Sequence, residues 1–220
     1  GGEKFALKVF HNLKPRALLL RYAEKFTSPA KHFPEIECVV EEDGAVAAIY
    51  YPFLASRAMP QTLFAKPEVQ RTVCGHYLLF QRQLLGQANL VYADWPNFMN
   101  VFCDCEGAPV FIDIGDTLID ACEKNAELIK EMLVKGVLSL RFDLFAGFLG
   151  PESDLPSVLK GVRKVDLEGL PAWQLAVLQH CRDAPPKAFL TPDFYDNLLK
   201  HVLPFSNLFS GGITELVWSE

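Results

Sequence analysis

A stripe of positive charge is the first thing this chain lacks. Its 21 Lys and Arg are outnumbered by 27 Asp and Glu, a formal net charge of −6 at pH 7 over 220 residues. No basic surface is therefore expected to meet a nucleic-acid backbone or an anionic bilayer, and neither is an expected partner. Long apolar runs are missing as well. The longest, Ala45 to Ala55, is interrupted by Pro52 and is too short to span a bilayer, which takes about 20 residues. No signal-peptide pattern stands out. The six cysteines (38, 74, 103, 105, 122 and 181) contain no Cys-x-x-Cys pair and no zinc spacing with the five histidines, although Cys103 and Cys105 share a strand face if that segment is extended. Reduced thiols are the expectation, in a cytoplasmic protein or in a secreted effector acting inside another cell. Internal repeats and low-complexity tracts are also absent.

What is present is a core. Half of the residues are hydrophobic, and the length suits one domain or two small lobes around a cleft. Phe5 to Phe10 reads as a strand, with Phe5, Leu7 and Val9 on one face and Ala6, Lys8 and Phe10 on the other. Asn12 is expected to cap a helix with Pro15 in its first turn, running to about Phe26. Ala17, Leu20 and Glu24 fall at i, i+3 and i+7, which places Glu24 in the apolar stripe. A carboxylate there needs a cation, and Lys8 on the preceding strand is the candidate. Ile36 to Glu42 and Val46 to Tyr51, joined by Asp43-Gly44, predict a hairpin. Helices are predicted over Pro67 to Gln87 (core stripe Val69, Val73, Tyr77, Phe80, Leu84, Leu85), from near Asp120 to Leu138 (Leu128, Ile129, Met132, Leu133 inward), over Ala172 to Cys181 and over Pro192 to Leu203. His76 reads as a core or surface histidine. Trp173, Trp218, Phe205 and Phe209 read as core.

The most informative stretch runs from Asp94 to Asp116. Val101-Phe102-Cys103 and Pro109-Val110-Phe111-Ile112 flank Cys105-Glu106-Gly107-Ala108, a hairpin signature. A hairpin brings Asn100, at the start of its first strand, near Asp113, at the end of its second. An amide oxygen beside a carboxylate suits Mg²⁺, which takes hard oxygen ligands and keeps several waters. Asp94, just upstream, is then placed to orient a hydroxyl.

This arrangement resembles the catalytic loop and metal-binding segment of the protein-kinase-like superfamily, which includes the protein kinases and the aminoglycoside and choline phosphotransferases. There the Asp of H-R-D-x-x-x-x-N handles the substrate hydroxyl, while its Asn and the Asp of Asp-Phe-Gly hold metal. Asp113-Ile114-Gly115 stands in the second position, and the following Asp116 is more like the small-molecule phosphotransferases. The first strand is similar to the V-A-I-K strand, so the resemblance assigns Lys8 to nucleotide phosphates, Glu24 to Lys8 and Ala6 to the space for a flat base. Pro52, Phe53 and Leu54 fall at the hinge whose backbone holds the adenine.

The resemblance covers Phe5 to Asp116. It implies an α+β, two-lobed fold, with an amino lobe over 1–54 and a mainly helical carboxyl lobe over 55–220. The implied activity is ATP- and Mg²⁺-dependent phosphoryl transfer to a hydroxyl of a protein or a small molecule. Lys8, Asp94 and Asp113 would be catalytic, with Asn100 and Asp113 as metal ligands. There are departures. Tyr92-Ala93 replaces His-Arg, and Asp94 stands six residues before Asn100 instead of five. Either the loop carries a bulge that still presents Asp94, or the chain is a pseudokinase acting as a binding or scaffold module. The glycine-rich loop that the resemblance places before Lys8 is not seen in residues 1–7, so the amino lobe is either truncated here or built without it, and there is little room after Asp116 for an activation loop. A different family is also similar over Val110 to Asp120. Haloacid-dehalogenase-type phosphatases place a nucleophilic Asp at a strand end, here Asp113, but their fold requires a parallel sheet that the helical second half does not predict.

Overall fold

The computed structural model describes residues 5–13, 16–27, 35–52, 57–58, 66–93, 101–103, 109–111, 114, 117–140 and 170–202. Alternation in the first of these segments produces β1 (Phe5–Val9), the edge of a sheet with β2 (Glu37–Val40) and β3 (Val46–Pro52) in the order β1-β3-β2, all antiparallel. The expected hairpin joins β2 to β3. Gly44 takes φ +80°, a region glycine enters without a Cβ penalty, and the Asp43 carboxylate accepts a hydrogen bond from Ala45 N at 2.9 Å. Phe5, Leu7 and Val9 face solvent, while Phe10 is buried and Ala6 and Lys8 are half-buried on the opposite face.

The helix after β1 departs from expectation in two ways. α1 is Ala17–Lys25, with Arg16 rather than Asn12 at its N-cap and no side-chain cap. Asn12 instead offers its carbonyl to Arg16 Nη2 at 3.5 Å, and Pro15 lies outside the described residues. The buried stripe is also rotated. It consists of Leu19, Tyr22 and Phe26, whereas Ala17 and Glu24 are exposed and Leu20 is half-buried. Aromatic area decides the matter. Tyr22 and Phe26 stack at 4.9 Å, and Phe26 meets Phe80 edge-on at 5.5 Å, burying far more apolar surface than Ala17 and Leu20 offer.

α2 (Pro67–Ala88) begins with the favoured proline and ends at Asn89, which adopts the left-handed conformation at φ 54°. The six residues of its expected stripe are all buried, and so are Thr72, Cys74, His76, Leu78 and Gln81. The helix is therefore wrapped almost all round, with β5 (Leu90–Tyr92) on one side and the carboxyl-terminal helices on another. β5 pairs antiparallel with β8 (Leu118–Asp120). β6 (Val101–Cys103) and β7 (Pro109–Phe111) form the expected hairpin ladder, extended by β4 (Arg57–Ala58).

Because Leu118–Asp120 is a strand, the next helix starts later than the sequence suggests. A 3₁₀ turn at Glu123–Asn125 leads into α3 (Ala126–Ser139). Ile129, Leu133 and Val137 point inward, Met132 is half-buried, and Leu128, expected inward, is exposed. α4 (Ala172–Asp183) and α5 (Pro192–Val202), separated by a 3₁₀ turn at Pro186–Leu190, match their predicted spans within two residues. Trp173 joins the core. Trp218, Phe205 and Phe209 lie outside the described residues. α5 is held to α2 by Arg82–Asp196 at 2.6 Å and by Arg71 Nε donating to Val202 O at 2.7 Å. The fold is thus α+β, and every described strand pair is antiparallel. Among the described residues no helix is long and apolar enough to cross a membrane.

Candidate functional site

Asp94, Asn100 and Asp113, with Phe53 and Leu54, lie outside the described residues, but the points from which their segments depart are described. β5 ends at Tyr92, opposite Leu118, and Ala93 N donates to Thr117 O at 2.7 Å. Val101, the first residue of β6, stands opposite Phe111, the last of β7. In sequence, Asp94 and Asn100 thus fall between Ala93 and Val101, and Asp113 between Phe111 and Thr117. Of these four described residues, Ala93 and Thr117 are hydrogen-bonded, and Val101 and Phe111 are opposed in a strand pair. Ile114, the middle of Asp113-Ile114-Gly115, is buried in the core.

The departure point at Tyr92 is firmly held. Its carbonyl accepts from Tyr77 Oη at 2.9 Å and from Gln81 Nε2 at 2.5 Å, while its N–H donates to Gln81 Oε1 at 3.0 Å. Gln81 therefore meets both the N–H and the carbonyl of Tyr92 with one side-chain amide, and it is fully buried. Composition and motif spacing missed this residue. The available signal was a glutamine on the apolar face of a helix, four residues after Tyr77, since a polar group on such a face needs a partner. Asn89 performs a related task below. Its carbonyl accepts from Ala121 N at 3.0 Å and its Nδ2 donates to Ala121 O at 3.2 Å, tying the end of α2 to the end of β8.

On the other sheet, Lys8 stands opposite Ile49, and Ile49 opposite Cys38. Directly opposed residues of antiparallel strands point to the same face, so Lys8, Ile49 and Cys38 form one row. The thiol of Cys38 is pushed up by burial and then by the charge of Glu24. Glu24 is exposed rather than buried. No ion pair between Lys8 and Glu24 stands among those joining described residues. Lys8 Nζ lies 5.7 Å from the centre of the Phe10 ring, and the Arg16 guanidinium sits 3.9 Å over the same ring, a cation–π arrangement. Ala6 is half-buried, opposite Tyr51, and Pro52 is the last residue of β3, opposite Phe5.

α1 is fastened to the elements around β8. Arg21 pairs with Asp120, Phe26 packs on Phe80, and Thr27 exchanges two hydrogen bonds with the Gln87 amide at 2.8 and 3.2 Å. Three kinds of contact therefore join the helix that follows Lys8 to the framework that carries Tyr92 and Thr117. Among the described residues no group of three or more His, Cys, Asp or Glu side chains is placed to hold a metal ion. The expected metal ligands Asn100 and Asp113 lie beyond those residues. His76 is a buried residue of α2.

No protein-family model and no curated protein matches the chain.

Proposed function

We propose that this chain adopts a two-lobed, protein-kinase-like fold, with an amino lobe over 1–54 and a carboxyl lobe over 55–220. Its proposed reaction is Mg²⁺- and ATP-dependent phosphoryl transfer to a hydroxyl of a protein or a small molecule. The observation that carries the reading is the common anchoring of the segments bearing Asp94 and Asn100 on the one hand and Asp113 on the other. In sequence each runs between the same two neighbour pairs, the hydrogen-bonded Ala93 and Thr117 and the strand-paired Val101 and Phe111. Two carboxylates and an amide carried by such neighbouring segments suit a hard divalent cation bridging phosphate oxygens.

Further support comes from the contacts that fasten α1, the helix that bears Glu24, to β8 and α2. In this reading Lys8 neutralises nucleotide phosphates and Glu24 orients Lys8. Asp94 directs the acceptor hydroxyl, and Asn100 and Asp113 hold Mg²⁺. Ala6, Pro52, Phe53 and Leu54 border the adenine. Such catalysis is mostly positioning and charge neutralisation, so losing Asp113 should cost more rate than losing Asp94. The phosphatase alternative needs parallel strands, and the described pairs are all antiparallel.

Thermal unfolding with nucleotide tests the proposal. Mg²⁺-ATP at about a hundred times its Kd should add roughly 2.7 kcal/mol, a shift of several degrees for a chain of this size, and Asp113→Ala should remove it. No shift at millimolar nucleotide would overturn the reading. A shift without turnover of ATP, with or without acceptors, would instead identify a pseudokinase. Hydrolysis of phosphomonoesters dependent on Asp113 would identify the phosphatase.

A further inference from the structure

Away from the proposed cleft, two helices bring histidines together at their carboxyl ends. His180 lies in the last turn of α4 and His201 in the last turn of α5. Nδ1 of His180 and Nε2 of His201 face each other at 3.3 Å, with the ring planes inclined at 61°. Both side chains are half-buried. This spacing lets one ring donate its N–H to the other, in a direction set by the tautomers. It matches the bite of a tetrahedral ion: two metal–imidazole bonds of about 2.0–2.1 Å at the tetrahedral angle set the nitrogens about 3.3–3.4 Å apart. We propose that His180 and His201 chelate Zn²⁺, with water completing its coordination, and so staple α4 to α5.

The last carbonyls of the two helices are met by side-chain cations: Lys130 donates to Arg182 O and Ala184 O, and Arg71 donates to Val202 O. Arg182 is paired with Asp183 at 2.8 Å, and Lys200 donates to Asn197. None of these contacts engages the two imidazoles, and ligation needs both rings neutral. Binding requires the tautomers protonated at His180 Nε2 and His201 Nδ1. Imidazole ligands suit Zn²⁺, Ni²⁺ and Cu²⁺ rather than Mg²⁺, so this site is separate from the proposed nucleotide metal.

Tag-free full-length protein titrated with Zn²⁺ at pH 7.5 should show a saturable rise in Tm, of the order of several degrees once Zn²⁺ stands well above its Kd. EDTA should reverse the rise, and Mg²⁺ should not reproduce it. His180→Ala and His201→Ala should each abolish the response, while His11→Ala, at an exposed position, should keep it. The wild-type protein gives a second readout independent of any variant: because the ligands must be unprotonated, the half-saturating Zn²⁺ concentration should increase as pH falls. No rise up to millimolar Zn²⁺, a rise that survives loss of either histidine, or a half-saturating concentration that does not change with pH would each overturn the assignment.

Discussion

Replacing Gln81 with alanine removes the acceptor for Tyr92 N–H and one of two donors to Tyr92 O, inside a region with no access to water. A buried backbone group left without its partner costs about 1–3 kcal/mol, and the cavity adds to that. We expect Gln81→Ala to lower stability by about 2–4 kcal/mol in chemical denaturation. It should also weaken Mg²⁺-ATP binding, because the segment bearing Asp94 departs two residues later. The Arg21–Asp120 pair offers the contrast. Both side chains are about one-third exposed, and pairs of that kind are worth about 0–1 kcal/mol and are screened by salt. Arg21→Ala should therefore be mild, and milder still at high ionic strength. A Gln81→Ala protein as stable as the parent would remove the basis for treating Tyr92 as a fixed point.

Among the elements, α2 offers the cleanest test. Gly86 lies within it, and a Cβ built there would stand 3.8 Å from Pro192 Cγ, ordinary contact distance. Helical glycine costs roughly 0.5–1 kcal/mol relative to alanine, so Gly86→Ala should raise Tm by about 1–4 °C. A fall would show that α2 and α5 approach more closely than described. Elements with strong local signals were legible in the sequence: the Asp43-Gly44 hairpin, the proline-started α2, the β6–β7 ladder and α5. Two were misread for physical reasons. The stripe of α1 is set by Tyr22 and Phe26 meeting Phe80, a tertiary contact that one-face periodicity ranks no higher than Ala17, Leu20 and Glu24. Leu118–Asp120 is a strand because Leu90–Tyr92 lies beside it. Three residues carry too little pattern to be distinguished from the start of a helix. In the candidate site, the row of Ala6, Lys8 and Phe10 on one strand face was legible, whereas the exposure of Glu24 was not. Gln81 and Asn89 were not legible because their partners are backbone atoms distant in sequence.

Several buried acids link the core to pH. The phenols of Tyr22, Tyr77 and Tyr195 and the thiol of Cys74 are all pushed up by burial, and that of Cys181 is pushed up to about 12. The folded chain keeps these protons where the unfolded chain begins to lose them, at about pH 8.5 for Cys and about 10 for Tyr. Their contribution is therefore complete below pH 8.5 and is lost as pH rises toward the folded values. Urea midpoints should be insensitive to these groups between pH 6 and 8 and should fall steadily above about pH 9. A midpoint at pH 10.5 equal to that at pH 7.5 would mean that these residues are not in the core.

At the scale of the whole molecule, the proposed chemistry requires one divalent cation beside the strands that end at Tyr92 and Phe111, within reach of the sheet that carries Lys8. Mn²⁺ in place of Mg²⁺, added with ATP, reports that position directly through paramagnetic broadening of backbone amide signals. The amides of Ala93, Val101, Phe111 and Thr117 should broaden first, with Lys8 among the next, and Asp113→Ala should restore them all. Broadening centred away from these residues, with Ala93 and Thr117 left sharp, would contradict the proposed cleft.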